Sequence, residues 1–247
     1  MLDFARTLTL PSLGRYLGWR AGGRPGPVQL QARSGPRFEL RPTRFGGRGN
    51  SDYGVAYEIF VHDFYRLPEG LDPAQVRLVA DLGANVGFSV LHWLHRFPAC
   101  RVIAFEPHPG HVEQARRNLA LDGRAERVEL HPVGAGAALR RAVLSDVGPG
   151  STVLDGGGEG LEIEIVDVFS VLAGRRLDLL KLDIEGGEYE IMADPRFETL
   201  DVRALVMEWH AREGYGRDWC VARLQALGFR VQETWSEDAA GMLWALR

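Results

Sequence analysis

From residue 77 onward, apolar and polar positions fall into a repeating order of short apolar runs and segments of helical period. Arg77 to Leu82 is an apolar run of strand length, followed by a glycine-containing turn and a helical segment carrying Phe88, Val90, Leu91, Leu94 and Phe97. Arg101 to Phe105 predicts the next strand. Pro109 then opens a helix with Val112, Ala115 and Leu119 at helical spacing, and Gly123 stops it. Strand-like runs recur at Val128 to Val133, Leu161 to Val166, Leu177 to Ile184, Ala204 to Trp209, Phe229 to Thr234 and Met242 to Leu246. Helical segments fall around Gly187 to Ala193 and Asp218 to Leu227. This alternation predicts an α/β fold: a mostly parallel sheet of seven strands with helices on both faces. Right-handed crossovers would bring the carboxyl ends of the strands to one edge, where ligands of such folds bind.

The pattern before residue 71 is different. Residues 1 to 27 suggest a short helix and then a Gly/Pro loop at Gly22 to Pro27, and residues 28 to 45 alternate as short strands. Tyr53 to Tyr65 is apolar and aromatic with acidic punctuation, and Pro68 to Pro73 breaks the chain. These segments predict a small N-terminal appendage over 1–70, suited to capping a substrate site, and a main domain over 71–247.

Composition narrows the class. A chain of 247 residues that is 45% hydrophobic and 25% charged can bury one large core, which excludes wholesale disorder and a string of modules. No apolar run approaches the roughly 18 residues of a membrane span, and the first residues lack a signal-peptide core. The expectation is a soluble cytoplasmic protein. Cys100 and Cys220 are too few for a disulfide framework or a cysteine metal site and read as buried thiols. The net charge of -4 is uneven: residues 1–50 hold nine arginines against Asp3 and Glu39. That leader could suit nucleic acid or an acidic surface, but its arginines lie among Gly and Pro without interleaved aromatic platforms. With 28 of 29 basic residues being arginine, it reads as a solvated face, and nucleic acid is not the favoured partner. The lone lysine is Lys181.

Two stretches carry chemistry. Asp81-Leu82-Gly83-Ala84-Asn85-Val86-Gly87 ends one strand and opens a helix, the context a nucleotide-binding turn needs. Gly83 would permit the tight turn and Gly87 close helix packing, with Asp81 pointing into the crevice. Ala84 and Asn85 stand where a dinucleotide fold wants a further glycine for its pyrophosphate. An acid there repels a pyrophosphate and attracts a cationic amino-acid head group, which points to S-adenosylmethionine rather than a nicotinamide cofactor. Glu106 ends the next strand 23 residues after Gly83, at the separation from which an acid reaches ribose hydroxyls. Pro107 stiffens the turn beneath it, and His131, Val133 and Gly134 fall beside the expected adenine.

The second stretch is Lys181-Leu182-Asp183-Ile184-Glu185-Gly186-Gly187-Glu188. Strand alternation places Lys181, Asp183 and Glu185 on one face, and likewise Glu208 and His210 on the strand that follows. Charges on a strand buried on both faces are costly unless that part opens onto the active edge. Asp183, Glu208 and His210 are therefore the candidate general bases, with Lys181 balancing the acids. Oxygen and imidazole groups of this kind also suit a divalent ion, a version held second to metal-free transfer. His92/His95 and His108/His111 read as surface histidines, and Gly156 to Gly160 as a turn beside Asp155.

These stretches, with Ala104-Phe105-Glu106-Pro107 and Val206-Met207-Glu208-Trp209-His210, make the sequence resemble the FkbM family of S-adenosylmethionine-dependent methyltransferases over roughly residues 52–215. The resemblance implies a Rossmann-like class I methyltransferase fold and O-methylation of a hydroxyl on a sugar or polyketide-type natural product. The rival readings are a nicotinamide-dependent oxidoreductase on the same architecture and a non-catalytic RNA-binding module using the basic leader.

Overall fold

The computed structural model describes residues 2–24, 26–42, 52–144, 153–154 and 160–247. The N-terminal part comprises helices α1 (Leu2–Thr7) and α2 (Leu10–Ala21), the hairpin β1 (Val28–Gln31) and β2 (Arg37–Leu40), and α3 (Asp52–Phe60). There follow β3 (Leu78–Leu82), α4 (Phe88–Arg96), β4 (Arg101–Phe105), α5 (Pro109–Asp122), β5 (Val128–His131), β6 (Gly134–Gly136), β7 (Arg140–Leu144), β8 (Val153–Leu154) and β9 (Leu161–Asp167). The rest is α6 (Val168–Leu172), β10 (Arg176–Leu177), β11 (Leu179–Leu182), α7 (Glu188–Ala193), β12 (Asp201–Val202), β13 (Ala204–His210), α8 (Arg217–Ala226), β14 (Arg230–Ser236) and β15 (Ala240–Leu246).

The main sheet has seven strands in the order β14-β15-β13-β11-β3-β4-β5, and β15 alone runs against the others. Strand alternation sorts its side chains into two cores. Val79, Val102, Leu179, Val206 and Trp244 face one way; Ala80, Ile103, Leu180, Leu205 and Leu243 face the other. Burying a large apolar side chain is worth about 1.5–3 kcal/mol, so both faces must be covered. Helices α6, α7 and α8 cover the second face, and α4 the first.

The first face has a second covering. Phe4, Tyr16, Leu30, Phe38, Ile59 and Tyr65 belong to the same continuous core as Val79 and Trp93. Phe38 lies 5.1 Å from Phe60 and 5.3 Å from Phe88 between ring centroids, which locks the hairpin and α3 onto α4. Arg41 pairs with the buried Asp52 at 2.7 Å, and Asn118 Oδ1 accepts the Glu39 backbone N–H at 2.8 Å.

Several expectations need correction. The run Leu161 to Val166 forms β9, which joins a separate four-stranded sheet, β6-β9-β7-β8, instead of the main one. The expected strand Leu177 to Ile184 divides into β10 and β11 and stops at Leu182; residues 183–187 form a turn. Tyr53 to Tyr65 contains α3. Residues 155–159, including Asp155 and most of the glycine run, lie outside the described residues. Cys100 and Cys220 are buried and free. Among the described residues no helix is long and apolar enough to cross a membrane.

Candidate active site at the strand tips

At the carboxyl ends of β3, β4, β11 and β13 lies a cavity of about 380 Å³, within the range of roughly 300–1,000 Å³ usual for small-molecule sites. The second sheet contributes Gly134, Ala135, Leu144, Ile163 and Ile165 to one wall, and the N-terminal part contributes Val55, Glu58, Ile59, Phe64 and Tyr65 to another.

One end of the cavity is built by the turn after β3. Gly83 has φ 88°, and a Cβ on it would run into the carbonyl oxygen of Asp183, so glycine is required where β3 and β11 release their chains together. Gly87 (φ 83°), the residue before α4, lets the Ala115 Cα of α5 approach within 3.2 Å of where its Cβ would be. Glu106, just past β4, fastens this turn to the next: it accepts the Asn85 N–H at 2.8 Å and the His108 N–H at 2.9 Å, with His111 Nδ1 3.4 Å away. Gly83, Ala84, Asn85, Glu106, Pro107 and Gly134 line this end of the cavity.

Asp81, Gly87 and Val133 are not part of that wall. Asp81, expected in the crevice, is fully buried beneath it: Oδ2 accepts the Trp93 indole N–H at 2.9 Å, and Oδ1 lies 3.2 Å from Lys181 Nζ. Burial raises its pKa against the pull of Lys181. His131 stacks on Phe105 at 4.7 Å and pairs with Glu129 at 2.9 Å.

The other end collects acids around one ammonium. Lys181 stands opposite Asp81 in register and is 1% exposed. Its Nζ donates to the carbonyls of Gly83 (2.5 Å) and Leu82 (3.3 Å) and lies 3.3 Å from Asp183 Oδ2. Burial opposes its charge, but the Asp183 and Asp81 carboxylates outweigh that and hold its pKa above the ordinary lysine value. The Tyr65 hydroxyl also donates to Asp183 Oδ2, at 3.1 Å.

Glu185 reaches the site by a route that strand alternation did not foresee, through the turn, at φ 57°. Glu188, first residue of α7, holds that turn by accepting the N–H groups of Ile184 (2.8 Å) and Gly186 (2.9 Å). Burial, then the charge of Asp183, pushes Glu185 up to about 7. Glu208 is pushed further, to about 9, by burial and then by Asp183, Glu185 and Glu58. Glu58 rises to about 7, through burial first and the Asp183 and Glu185 charges next. His210 Nε2 lies 3.6 Å from Glu185 and 3.8 Å from Glu208, outside the cavity wall. Among the described residues no group of three or more His, Cys, Asp or Glu is placed to hold a metal ion.

The histidine expectation also needs correction. His111 is buried against Glu106, His95 bonds Asp122 at 2.9 Å, His108 caps α5 by accepting the Gly110 N–H, and burial pushes His92 down to about 4. Glu58 and Tyr65 were not identified from sequence. The only trace of them was the aromatic, acid-punctuated run of Tyr53 to Tyr65.

Sheet order, the single reversed strand and a cavity at the strand tips define a class I S-adenosylmethionine-dependent methyltransferase fold. The sequence matches the methyltransferase FkbM domain over residues 81–231, and the chain belongs to that family. It is 26% identical to methyltransferase sdnD of Sordaria araneosa, the alignment covering 68% of this chain and 81% of the relative. With the 31-O-demethyl-FK506 methyltransferase FkbM of Streptomyces tacrolimicus it shares 29% identity over 70% of this chain and 80% of that one. In fold it is similar to the SAM-dependent methyltransferase from Agrobacterium tumefaciens (TM-score 0.55, 11% identity, 90% of this chain and 70% of that). It is also similar to an O-methyltransferase family protein from Burkholderia thailandensis (TM-score 0.50, 15% identity, 78% of this chain and 56% of that). Membership of a methyltransferase family replaces the oxidoreductase and RNA-binding readings.

Proposed function

We propose that this enzyme transfers a methyl group from S-adenosylmethionine to a hydroxyl of a sugar or polyketide-type small molecule, without a metal. The observation that carries the reading is that one cavity joins the Gly83–Glu106 end to Asp183. The name of the Streptomyces relative, a 31-O-demethyl-FK506 methyltransferase, supports oxygen as the receiving atom.

The cavity suits the donor. Glu106 keeps carboxylate lone pairs beyond its two backbone N–H partners and can take ribose hydroxyls, and Gly134 and Ala135 border the space beyond it. The Asp183 carboxylate at the other end favours a cationic amine and sulfonium. Bound S-adenosylmethionine supplies a methyl group on a positively charged sulfur, already activated for transfer. The chain's own residues then align the acceptor and remove its proton. Alignment is worth on the order of 7–11 kcal/mol of barrier.

Asp183 is the base. Its Oδ2 is occupied by Tyr65 and Lys181, while Oδ1 has no hydrogen-bond donor among the described residues. It accepts the acceptor's proton as the hydroxyl oxygen bonds to the methyl carbon and the sulfur keeps the electron pair of the broken bond, leaving a methyl ether and S-adenosylhomocysteine. A base so placed contributes roughly 10²- to 10⁴-fold. His210, outside the cavity wall, is the second choice. Residues 1–70 act as the cap on the acceptor end, through Glu58, Ile59, Phe64 and Tyr65.

The test is incubation of the full chain with methyl-labelled S-adenosylmethionine and a panel of sugars and hydroxylated macrolides, with and without a chelator. Label in an ether linkage, undiminished by chelation, is expected. Label on nitrogen or carbon, or turnover lost to the chelator, contradicts the reading.

A further inference from the structure

The N-terminal part reaches further into the site than a cover needs to. After α3 the chain turns at Asp63, in the left-handed region at φ 52°, and the Phe64 N–H returns to the Glu58 carbonyl at 3.2 Å. The next residue, Tyr65, points inward. Its ring packs on Trp93 with centroids 4.9 Å apart and lies 6.1 Å from the His92 ring. With the ring held between these aromatics, its hydroxyl meets Asp183 Oδ2 at 3.1 Å, the oxygen that also faces Lys181 Nζ at 3.3 Å.

A carboxylate rotates easily about its last torsion, whose wells are broad and two-fold. One donor on one oxygen leaves it free to swing. The Tyr65 hydrogen bond, from a segment 118 residues earlier, and the Lys181 ion pair, from β11, converge on the same oxygen and restrain the plane, leaving the second oxygen of a side chain that lines the cavity without a donor among the described residues. A phenylalanine would fill the same apolar contact, so packing alone does not require the hydroxyl.

We propose that Tyr65 is a positioning residue for methyl transfer: with Lys181 it holds Asp183 Oδ2 and so turns Oδ1 towards the acceptor hydroxyl. This rests on Asp183 being the base. The N-terminal part thereby belongs to the catalytic apparatus as well as to the cap.

The test compares the full-length wild type, Tyr65→Phe, Asp183→Asn and the double variant. Turnover is read with an acceptor from the panel above, affinity with S-adenosylhomocysteine, and side-chain position from crystals of the Tyr65→Phe variant. Removing a hydrogen bond to a charged group should lower kcat by roughly tenfold to a hundredfold, leaving acceptor KM and S-adenosylhomocysteine affinity unchanged. The double variant should turn over no more slowly than Asp183→Asn alone, and the Asp183 carboxylate should rotate or adopt several conformers in the Tyr65→Phe crystals. Losses that multiply in the double variant, or a wild-type kcat in Tyr65→Phe beside a crippled Asp183→Asn, overturn the role of Tyr65. If Asp183→Asn itself turns over normally, the base assignment fails. The crystals then judge Tyr65 separately, and a single unmoved Asp183 conformer refutes it.

Discussion

At the scale of single residues, the site is governed by how few cations serve its acids. Lys181 is the one ammonium facing Asp81 and Asp183, and a compact charge with three protons suits a point where two carbonyls and two carboxylates converge. Glu208, Glu185 and Glu58 are left to share the cavity with Asp183, and burial with mutual repulsion makes the protonated form of each the cheaper one. The sign for stability follows. The folded chain holds a proton on Glu208 up to about pH 9, whereas the unfolded chain releases it near the ordinary glutamate value of 4.5. The stability tied to that proton is complete below the unfolded value and is lost as pH rises towards 9. Glu208→Gln should therefore melt above wild type at pH 9 and converge with it near pH 4, as followed by thermal unfolding. A lower melting temperature for the variant at pH 9 would contradict this. Much of this scale was legible in sequence: Glu106, Asp183 and Glu208 were placed by strand ends alone. Asp81 was not, because strand phasing gives the face of a side chain and not the depth at which a partner in register, here Lys181, intercepts it.

At the scale of elements, the turn after β3 shapes the Gly83–Glu106 end of the cavity through packing as well as through its own residues. Gly87 lets α4 and α5 close on each other, and their approach sets the Asn85 N–H that Glu106 accepts. Gly87→Ala forces a left-handed backbone on a side chain that also crowds Ala115. The expected loss is about 2–4 kcal/mol in urea unfolding, and wild-type stability would refute the packing argument. The alternation of β3, α4, β4 and α5 was readable because each has one strong period. β6 was not, since Gly134–Gly136 carries too little apolar contrast to show a period of two. Glu185 was brought to the right place for the wrong reason, because β11 ends at Leu182, two residues before the expected strand does, and the turn that follows carries Glu185.

At the scale of the whole molecule, residues before 71 share a core with the main sheet. Phe4, Tyr16, Leu30, Phe38 and Ile59 are each buried, and at about 1.5–3 kcal/mol apiece their combined burial rivals the roughly 5–15 kcal/mol by which a domain is stable. A 71–247 fragment should therefore aggregate or lack a cooperative transition by circular dichroism. A soluble fragment that unfolds cooperatively and binds S-adenosylhomocysteine would separate the cap from the catalytic domain. The sequence marked this region as an appendage because its short helices and strands break the later alternation. That Glu58 and Tyr65 enter the site depends on contacts across more than a hundred residues, which local periodicity does not record.

The central claim is that the cavity beside Glu106 binds the donor, and calorimetric titration of the intact chain with S-adenosylhomocysteine tests it most directly. The account predicts saturable binding at one site per chain, weakened by about 1–3 kcal/mol in Glu106→Ala. No heat with folded wild-type protein, or equal affinity in the variant, would contradict it.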